Sequence, residues 1–261
     1  MYYIYRMEDR CRYFVTLSYD GTKFLGWQIQ PKGRTVQGVL VEAFSKILRM
    51  KVSITGAGRT DTGVHARYAV AHFDLPKLLG KSERADLTSH LNRFLPADIS
   101  LFGIYLVDGE AHARFDATSR RYRYYVSLSK DPFTTMYETR LRGTYDFESM
   151  NEAAKRMLGT HDFTTLSKKH TDVKTHICTI YKAEWVQVVP DKWYFEIIAD
   201  RFLRNMVRAT VGTLFMVGRG KMSVDEFEAA IVAKDRSLAG TTAPAEGLFL
   251  EDIVYPFELK D

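Results

Sequence analysis

The order of apolar patterns along this chain runs through twice, and that repeat limits its possible folds more than any other feature. Residues 13 to 19 (YFVTLSY) alternate as a strand, and Val36, Val39, Leu40, Ala43, Phe44, Ile47 and Leu48 recur at helical spacing over residues 35 to 49. Runs at 51 to 55 and 68 to 74 predict two strands, Leu87, Leu91 and Phe94 a helix that Pro96 ends, and residues 99 to 107 a closing strand. The second half has a strand at 121 to 128, a helix from an Asp146 cap to Leu158 stopped by Gly159, and strands at 176 to 188 and 193 to 200 joined by a Pro190-Asp191 turn. A helix over 202 to 217, another with a Ser223/Glu226 capping box, and a strand at 248 to 254 follow. Each half therefore reads βαββαβ, with one extra helix in the second. This order predicts an α+β fold of two ferredoxin-like halves, each with an antiparallel sheet and helices on one face, and a cleft between them. A boundary near Asp108-Gly109 divides the chain into residues 1–108 and 109–261, with no flexible linker.

With 261 residues and 46% hydrophobic content, the chain is long enough for two modest cores and lies clear of the disordered range. Two cysteines, Cys11 and Cys178, are too few for a disulfide framework or a zinc site, which favours a reducing cytosol. Met1 to Arg6 hold no long apolar core, and no segment approaches the roughly 18 uninterrupted apolar residues of a membrane span, so the expected compartment is the cytoplasm. A net charge of +5 suits a polyanionic partner without requiring one.

Residues 56 to 66, GAGRTDTGVHA, place one carboxylate and one guanidinium in a glycine-punctuated turn between apolar runs. The glycines let the backbone approach a ligand or take positive φ, and Arg59 supplies a cation that keeps a partly buried Asp61 ionised, ready to act as base or nucleophile. Taken alone, an Asp among Gly and Thr is more often a turn or cap. The wider pattern reverses this. The stretch resembles the active-site loop of the tRNA pseudouridine synthase A family, with Thr62 in place of the usual alanine. Further matches are Gly21-Thr22-Lys23-Phe24, Gly26-Trp27-Gln28, Thr35-Val36-Gln37-Gly38, Ala113-Arg114-Phe115, Arg120-Arg121-Tyr122-Arg123-Tyr124, Met206-Val207-Arg208 and Ala245-Glu246-Gly247-Leu248, which together span about Arg12 to Tyr255.

The resemblance implies an isomerase that converts uridine to pseudouridine in the tRNA anticodon stem-loop, at tRNA positions 38, 39 and 40. It further implies sheets joined across a central basic cleft that holds the active site, and a homodimer as the working unit. Asp61 matches the catalytic nucleophile or base. Sugar attack, base attack and a glycal route all stay open. The rearrangement is redox-neutral and transfers no external group, so neither cofactor nor metal is expected. The seven histidines form no HxxxH pair or Cys/His quartet and read as surface or satisfied core residues.

Alternation along 120 to 125 puts Arg120, Tyr122 and Tyr124 on one face and Arg121, Arg123 and Tyr125 on the other. Interleaved arginines and tyrosines suit base stacking beside phosphate contacts, against an ordinary role in sheet packing. By resemblance Tyr122 stacks on the target base. On a helix from 202, Arg201, Arg204 and Arg208 would fall within about 60° of one another. The bland alternative is a solvated basic face. The resemblance makes Arg208 the partner of Asp61, and Arg201 and Arg204 then suit phosphates. Lys168 and Lys169 lie in a basic run with His170 and Lys174 and are candidate RNA-backbone contacts; Leu248 lines the uracil pocket by resemblance or serves simply as strand core. Two rivals are a non-catalytic tRNA-binding protein or RNA chaperone, which would need no carboxylate facing an anionic ligand, and an aspartate phosphohydrolase, which would need a DxDxT carboxylate pair that Asp61 lacks.

Overall fold

The computed structural model describes residues 10–168 and 173–260. It is an α+β structure of two compact units. The first holds the chain up to Thr62, Ala66–Ala117 and the residues from Ile253 onward; the second holds Gly63–His65 and Thr118–Asp252.

In the first unit, β1 (Cys11–Tyr19) leads through α1 (Val36–Leu48) to the two-residue β2 (Thr55–Gly56), then β3 (His65–Leu75), α2 (Lys81–Phe94) and β4 (Ile99–Val107). The strands lie in the order β4-β1-β3-β2, all antiparallel. Thr35 caps α1, accepting the Gly38 N–H, and the helix ends where Arg49 turns left-handed at φ 52°. Its apolar stripe places Phe44 against Phe73 of β3, ring centres 4.8 Å apart, with Tyr13 stacked on Phe73 from β1. All three rings are buried, and each contributes roughly 1.5–3 kcal/mol through that burial.

The second unit contains β5 (Ser119–Ser127), β6 (Thr139–Arg140), α3 (Phe147–Lys155), β7 (Gly159–Asp162), β8 (Ile177–Val189), β9 (Lys192–Ala199), α4 (Met206–Gly218), α5 (Val224–Ala233) and β10 (Leu248–Val254). Its strand order is β10-β5-β9-β8-β7, with β6 parallel to β5 at its end. Pro190-Asp191 joins β8 to β9, and the Ser223/Glu226 capping box starts α5. Trp185, Phe195 and Phe215 meet in its core, with ring centres 5.3 and 5.9 Å from Trp185.

Of the boundaries that differ from the sequence reading, three bear on the site or on the division into units. The strand expected over 51 to 55 pairs only at Thr55 and Gly56. The first unit reaches past Asp108-Gly109 to Ala117 because Arg12 donates to the Ala111 carbonyl (3.0 Å) and the Ala113 N–H donates to His72 Nδ1 (3.1 Å); Tyr255 returns to donate to the Ala113 carbonyl (2.6 Å). The third difference, the start of α4, bears on the arginines.

Candidate active site

The Asp61 loop leaves β2 and enters β3, and it is clamped by groups from the end of β1, from the segment between β1 and α1, and from β3 itself. The Trp27 N–H donates to the Thr60 carbonyl (3.1 Å), Tyr19 Oη and Thr60 Oγ1 share a 2.9 Å hydrogen bond, and the Ala57 N–H donates to the Val70 carbonyl (2.8 Å). Gly26 sits at φ +87°, and a Cβ there would strike the Thr60 carbonyl; a Cβ at Gly56 would strike the Trp27 indole. Gln37, in the first turn of α1, binds the same frame. Its amide donates to the Ile54 carbonyl (2.7 Å), and its Oε1 accepts from Gln28 Nε2 (2.9 Å) and the Ile29 N–H (3.0 Å). The Gly-Trp-Gln and Thr-Val-Gln-Gly motifs thus form the seat of this loop. Thr60 is buried and anchored, Asp61 is half-buried, and Arg59 and Thr62 are exposed. The chain passes into the second unit directly after Thr62.

On β5 the alternation holds: Tyr122, Tyr124 and Val126 are buried, whereas Arg121, Arg123 and Tyr125 on the opposite face are half-buried. Tyr122 is 9% exposed and meets Phe202 edge-on, ring centres 5.1 Å apart; Phe202 is a neighbour that sequence spacing did not reveal. Tyr124 is buried, and its hydroxyl reaches Thr139 Oγ1 (2.6 Å) and the Pro244 carbonyl (2.9 Å). Burial raises its phenol pKa despite the Thr139 hydrogen bond.

The arginines of β5 are engaged within the protein. Arg123 Nε donates to Glu196 Oε2 at 2.6 Å and the guanidinium lies 4.5 Å from the Tyr194 ring centre, while Arg121 pairs with Asp252 at 3.0 Å. Lys182 completes the arrangement, donating to Glu196 Oε1 at 2.8 Å. Burial acts against the charge on Arg123, but hydrogen bonds to Glu196 and Tyr125 outweigh it and hold the guanidinium protonated. Burial likewise pushes the Glu196 carboxyl up, and Lys182 and Arg123 bring it below its usual range. Arg120 donates to the Asp200 carbonyl at 2.6 Å.

The expected single helical face of Arg201, Arg204 and Arg208 does not form. Asn205 takes a left-handed conformation at φ 65°, its side chain donates to Thr242 Oγ1 (3.0 Å), and α4 begins only at Met206. Arg201 and Arg204 therefore lie on the irregular segment before the helix, and Arg208 alone lies within it. Arg201 N–H donates to Asp200 Oδ1 (2.7 Å), and the exposed Arg204 accepts the Lys168 N–H at its carbonyl (3.1 Å). Arg208 is half-buried, and its Nε donates to the Ala243 carbonyl (2.8 Å) while the Ala243 N–H donates to the Arg208 carbonyl (3.0 Å). With the Gly240 N–H donating to Thr213 Oγ1 (3.0 Å), this ties residues 240 to 243 onto α4. The seam is tight enough that a Cβ at Gly212 would strike the Thr241 carbonyl. Leu248, at the start of β10, is buried and donates its N–H to the Ala245 carbonyl (2.9 Å). Lys168 is exposed, and Lys169 and His170 lie outside the described residues. Among the described residues, no three His, Cys, Asp or Glu side chains gather as a metal site, and no helix is long and apolar enough to cross a membrane.

A family model described as tRNA pseudouridine synthase matches residues 16–116 and 153–256, which include the Asp61 loop, Arg208 and Leu248. The chain belongs to the tRNA pseudouridine synthase family. Among individual relatives, tRNA pseudouridine synthase A of Parabacteroides distasonis is 54% identical over 248 residues, covering 95% of this chain and 97% of that protein. The protein of the same name from Bacteroides thetaiotaomicron is 52% identical over 250 residues, covering 95% and 92%, and that from Bacillus subtilis is 41% identical over 244 residues, covering 92% and 97%. Family membership therefore extends over both units, from β1 to β10.

Proposed function

We propose that this chain isomerises uridine to pseudouridine in tRNA, at positions 38, 39 and 40 of the anticodon stem-loop, with Asp61 as nucleophile or base. The carrying observation is that the family match includes a carboxylate whose loop backbone is clamped at Thr60 while Asp61 itself stays half-exposed. In the reaction the N1–C1′ bond breaks, the uracil turns, C5 bonds to C1′, and C5 loses a proton while N1 gains one. Substrate and product have the same composition, so the step consumes no oxidant or reductant and transfers no external group. A positioned carboxylate serves such chemistry by covalent capture or by proton removal.

In this reading Arg59 and Arg208 flank and orient the Asp61 carboxylate, Tyr122 stacks on the target base, and Leu248 lines the uracil pocket. Arg201, Arg204, Lys168 and Lys169 meet phosphates. Arg121 and Arg123, committed to Asp252 and Glu196, contribute least to RNA contact. The fold that goes with the proposal is two ferredoxin-like halves, the first bearing the catalytic loop and the second completing a central basic cleft across which the sheets join. It is supported by the shared strand order within each unit, β4-β1-β3-β2 and β10-β5-β9-β8, with the helices in corresponding places. A cytoplasmic homodimer completes the reading.

Tritium release from tRNA carrying 5-tritiated uridine tests it, with and without EDTA. Release that persists in chelator is expected. Binding of tRNA by folded protein without release would replace the isomerase by a tRNA-binding protein or chaperone.

A further inference from the structure

The Ala113-Arg114-Phe115 motif takes no part in the chemistry proposed for Asp61, yet the first unit builds an elaborate support beneath it. Phe115 is 74% exposed. Its turn is nevertheless fixed by hydrogen bonds at nearly every residue. Asp116 Oδ2 accepts the His112 N–H at 2.7 Å, the Asp116 N–H returns to the His112 carbonyl at 3.0 Å, and His112 Nδ1 accepts the N–H groups of Arg114 (3.1 Å) and Phe115 (3.3 Å). Ala113 is pinned from both sides by His72 and Tyr255.

The rings form a column. Phe14 stacks on His72 (6.2 Å between centres), His72 meets His112 edge-on (4.6 Å), and His112 lies 4.3 Å from Phe115, which ends the column in solvent. The Arg114 guanidinium lies 5.8 Å from the Phe115 ring centre. Single exposed apolar residues are common and need no explanation. A ring whose backbone and underside are both held, with its outer face in water beside a cation, is a different object. Its ordering is already complete before anything binds, so a partner that stacks on it has little conformational entropy left to remove.

A flat π surface beside a guanidinium matches an unpaired nucleobase and its phosphate: the base stacks on the ring and the arginine meets the backbone. We propose that Phe115 is a stacking platform for an unpaired base of the RNA substrate, with Arg114 on the adjoining phosphate. This rests on the reading that the substrate is tRNA. Phe115 is here a binding residue and not a catalytic one.

The test compares Phe115→Ala, Phe115→Leu, Phe115→Trp and Arg114→Gln in the full chain, measuring tRNA affinity across a salt series, sedimentation, thermal midpoint and single-turnover tritium release. Because the ring is exposed, all four variants should melt close to wild type. Phe115→Ala and Phe115→Leu should bind tRNA about tenfold more weakly or worse, with an unchanged salt slope, and Phe115→Trp should stay within about threefold of wild type. Arg114→Gln should lower the slope of log affinity against log salt by roughly 0.7 to 0.9. Wild-type affinity in Phe115→Ala, or equal affinities for the Leu and Trp variants, would overturn the proposal. So would a change in sedimentation without a change in RNA affinity, which would give the ring to a second protein chain. If wild-type protein released no tritium while the Phe115 series behaved as expected, the isomerase reading would fall and the stacking site would stand.

Discussion

The Asp61 loop in the first unit and strand β5 in the second both present charged side chains, but they are held by different means. The loop is fixed through its backbone and through neutral side chains: Trp27 and Tyr19 hold Thr60, Gln37 holds the frame, and glycines at 26 and 56 let these parts meet. On β5 the charged side chains themselves are the fasteners, with Arg123 on Glu196 and Arg121 on Asp252. The difference separates two uses of charge. Where backbone and uncharged groups carry the structure, a carboxylate can be positioned for a substrate; where ion pairs carry it, the arginines are already occupied.

The largest expected effect sharpens this contrast. Asp61→Ala should slow single-turnover tritium release at least about a thousandfold while leaving tRNA affinity near wild type, since removing a carboxylate does not weaken attraction to a polyanion. Retention of a tenth of the wild-type rate would move the chemistry elsewhere. Next comes Gly26→Ala. A Cβ at φ +87° pressed against the Thr60 carbonyl should cost roughly 3 kcal/mol of stability and, by shifting the loop, also lower the rate at saturating enzyme by tenfold or more. A rate equal to wild type in this variant would show that the clamp does not position Asp61.

A third prediction concerns pH. Burial, with the nearby His112 and Arg12 charges, lowers His72 from the ordinary 6.5 to about 4, and its neutral Nδ1 accepts the Ala113 N–H. The folded state therefore prefers the neutral ring. As pH falls below 6.5 the unfolded chain takes up this proton first, so stability fully present above pH 6.5 is lost progressively down to about pH 4, on the order of 2 kcal/mol in all. Chemical denaturation at several pH values should show the loss, and His72→Asn, which keeps an acceptor, should flatten it. The smallest effect belongs to β5. Glu196→Gln leaves Arg123 and Lys182 without their shared carboxylate and should cost about 1–2 kcal/mol in melting experiments, with no change in tRNA affinity or its salt slope. A changed salt slope would mean that the acid had been masking an RNA contact.

Periodicity was enough to locate α1, and turn and cap residues the Pro190-Asp191 hairpin and the Ser223/Glu226 start of α5, because each depends on residues adjacent in sequence. It failed where a distant partner decides. Arg201 to Asn205 carry helical spacing, yet a left-handed Asn205 bonded to Thr242 delays α4 to Met206. The arginines of β5 read as free for RNA because Glu196 lies 73 positions from Arg123 and no local pattern links them. At the Asp61 loop the reading of glycine chemistry was right for Gly63, which takes a positive φ, whereas Gly56 makes room for the Trp27 indole rather than for a ligand and a Cβ at Gly58 would meet open space. The seat of the loop, Trp27 on Thr60 and Gln37 on Ile54, was visible only as matched motifs without a stated reason.

Asp61→Glu tests the central claim, that a clamped backbone sets the position of a working carboxylate, more directly than removal of the group. It keeps the charge and moves it outward by one methylene. Measured as the single-turnover rate of tritium release at saturating enzyme, beside tRNA affinity, this variant should bind normally and react roughly a hundredfold more slowly or worse, as expected for a displacement of about 1 Å. A rate within twofold of wild type would show that the carboxylate needs no such positioning and would contradict the account.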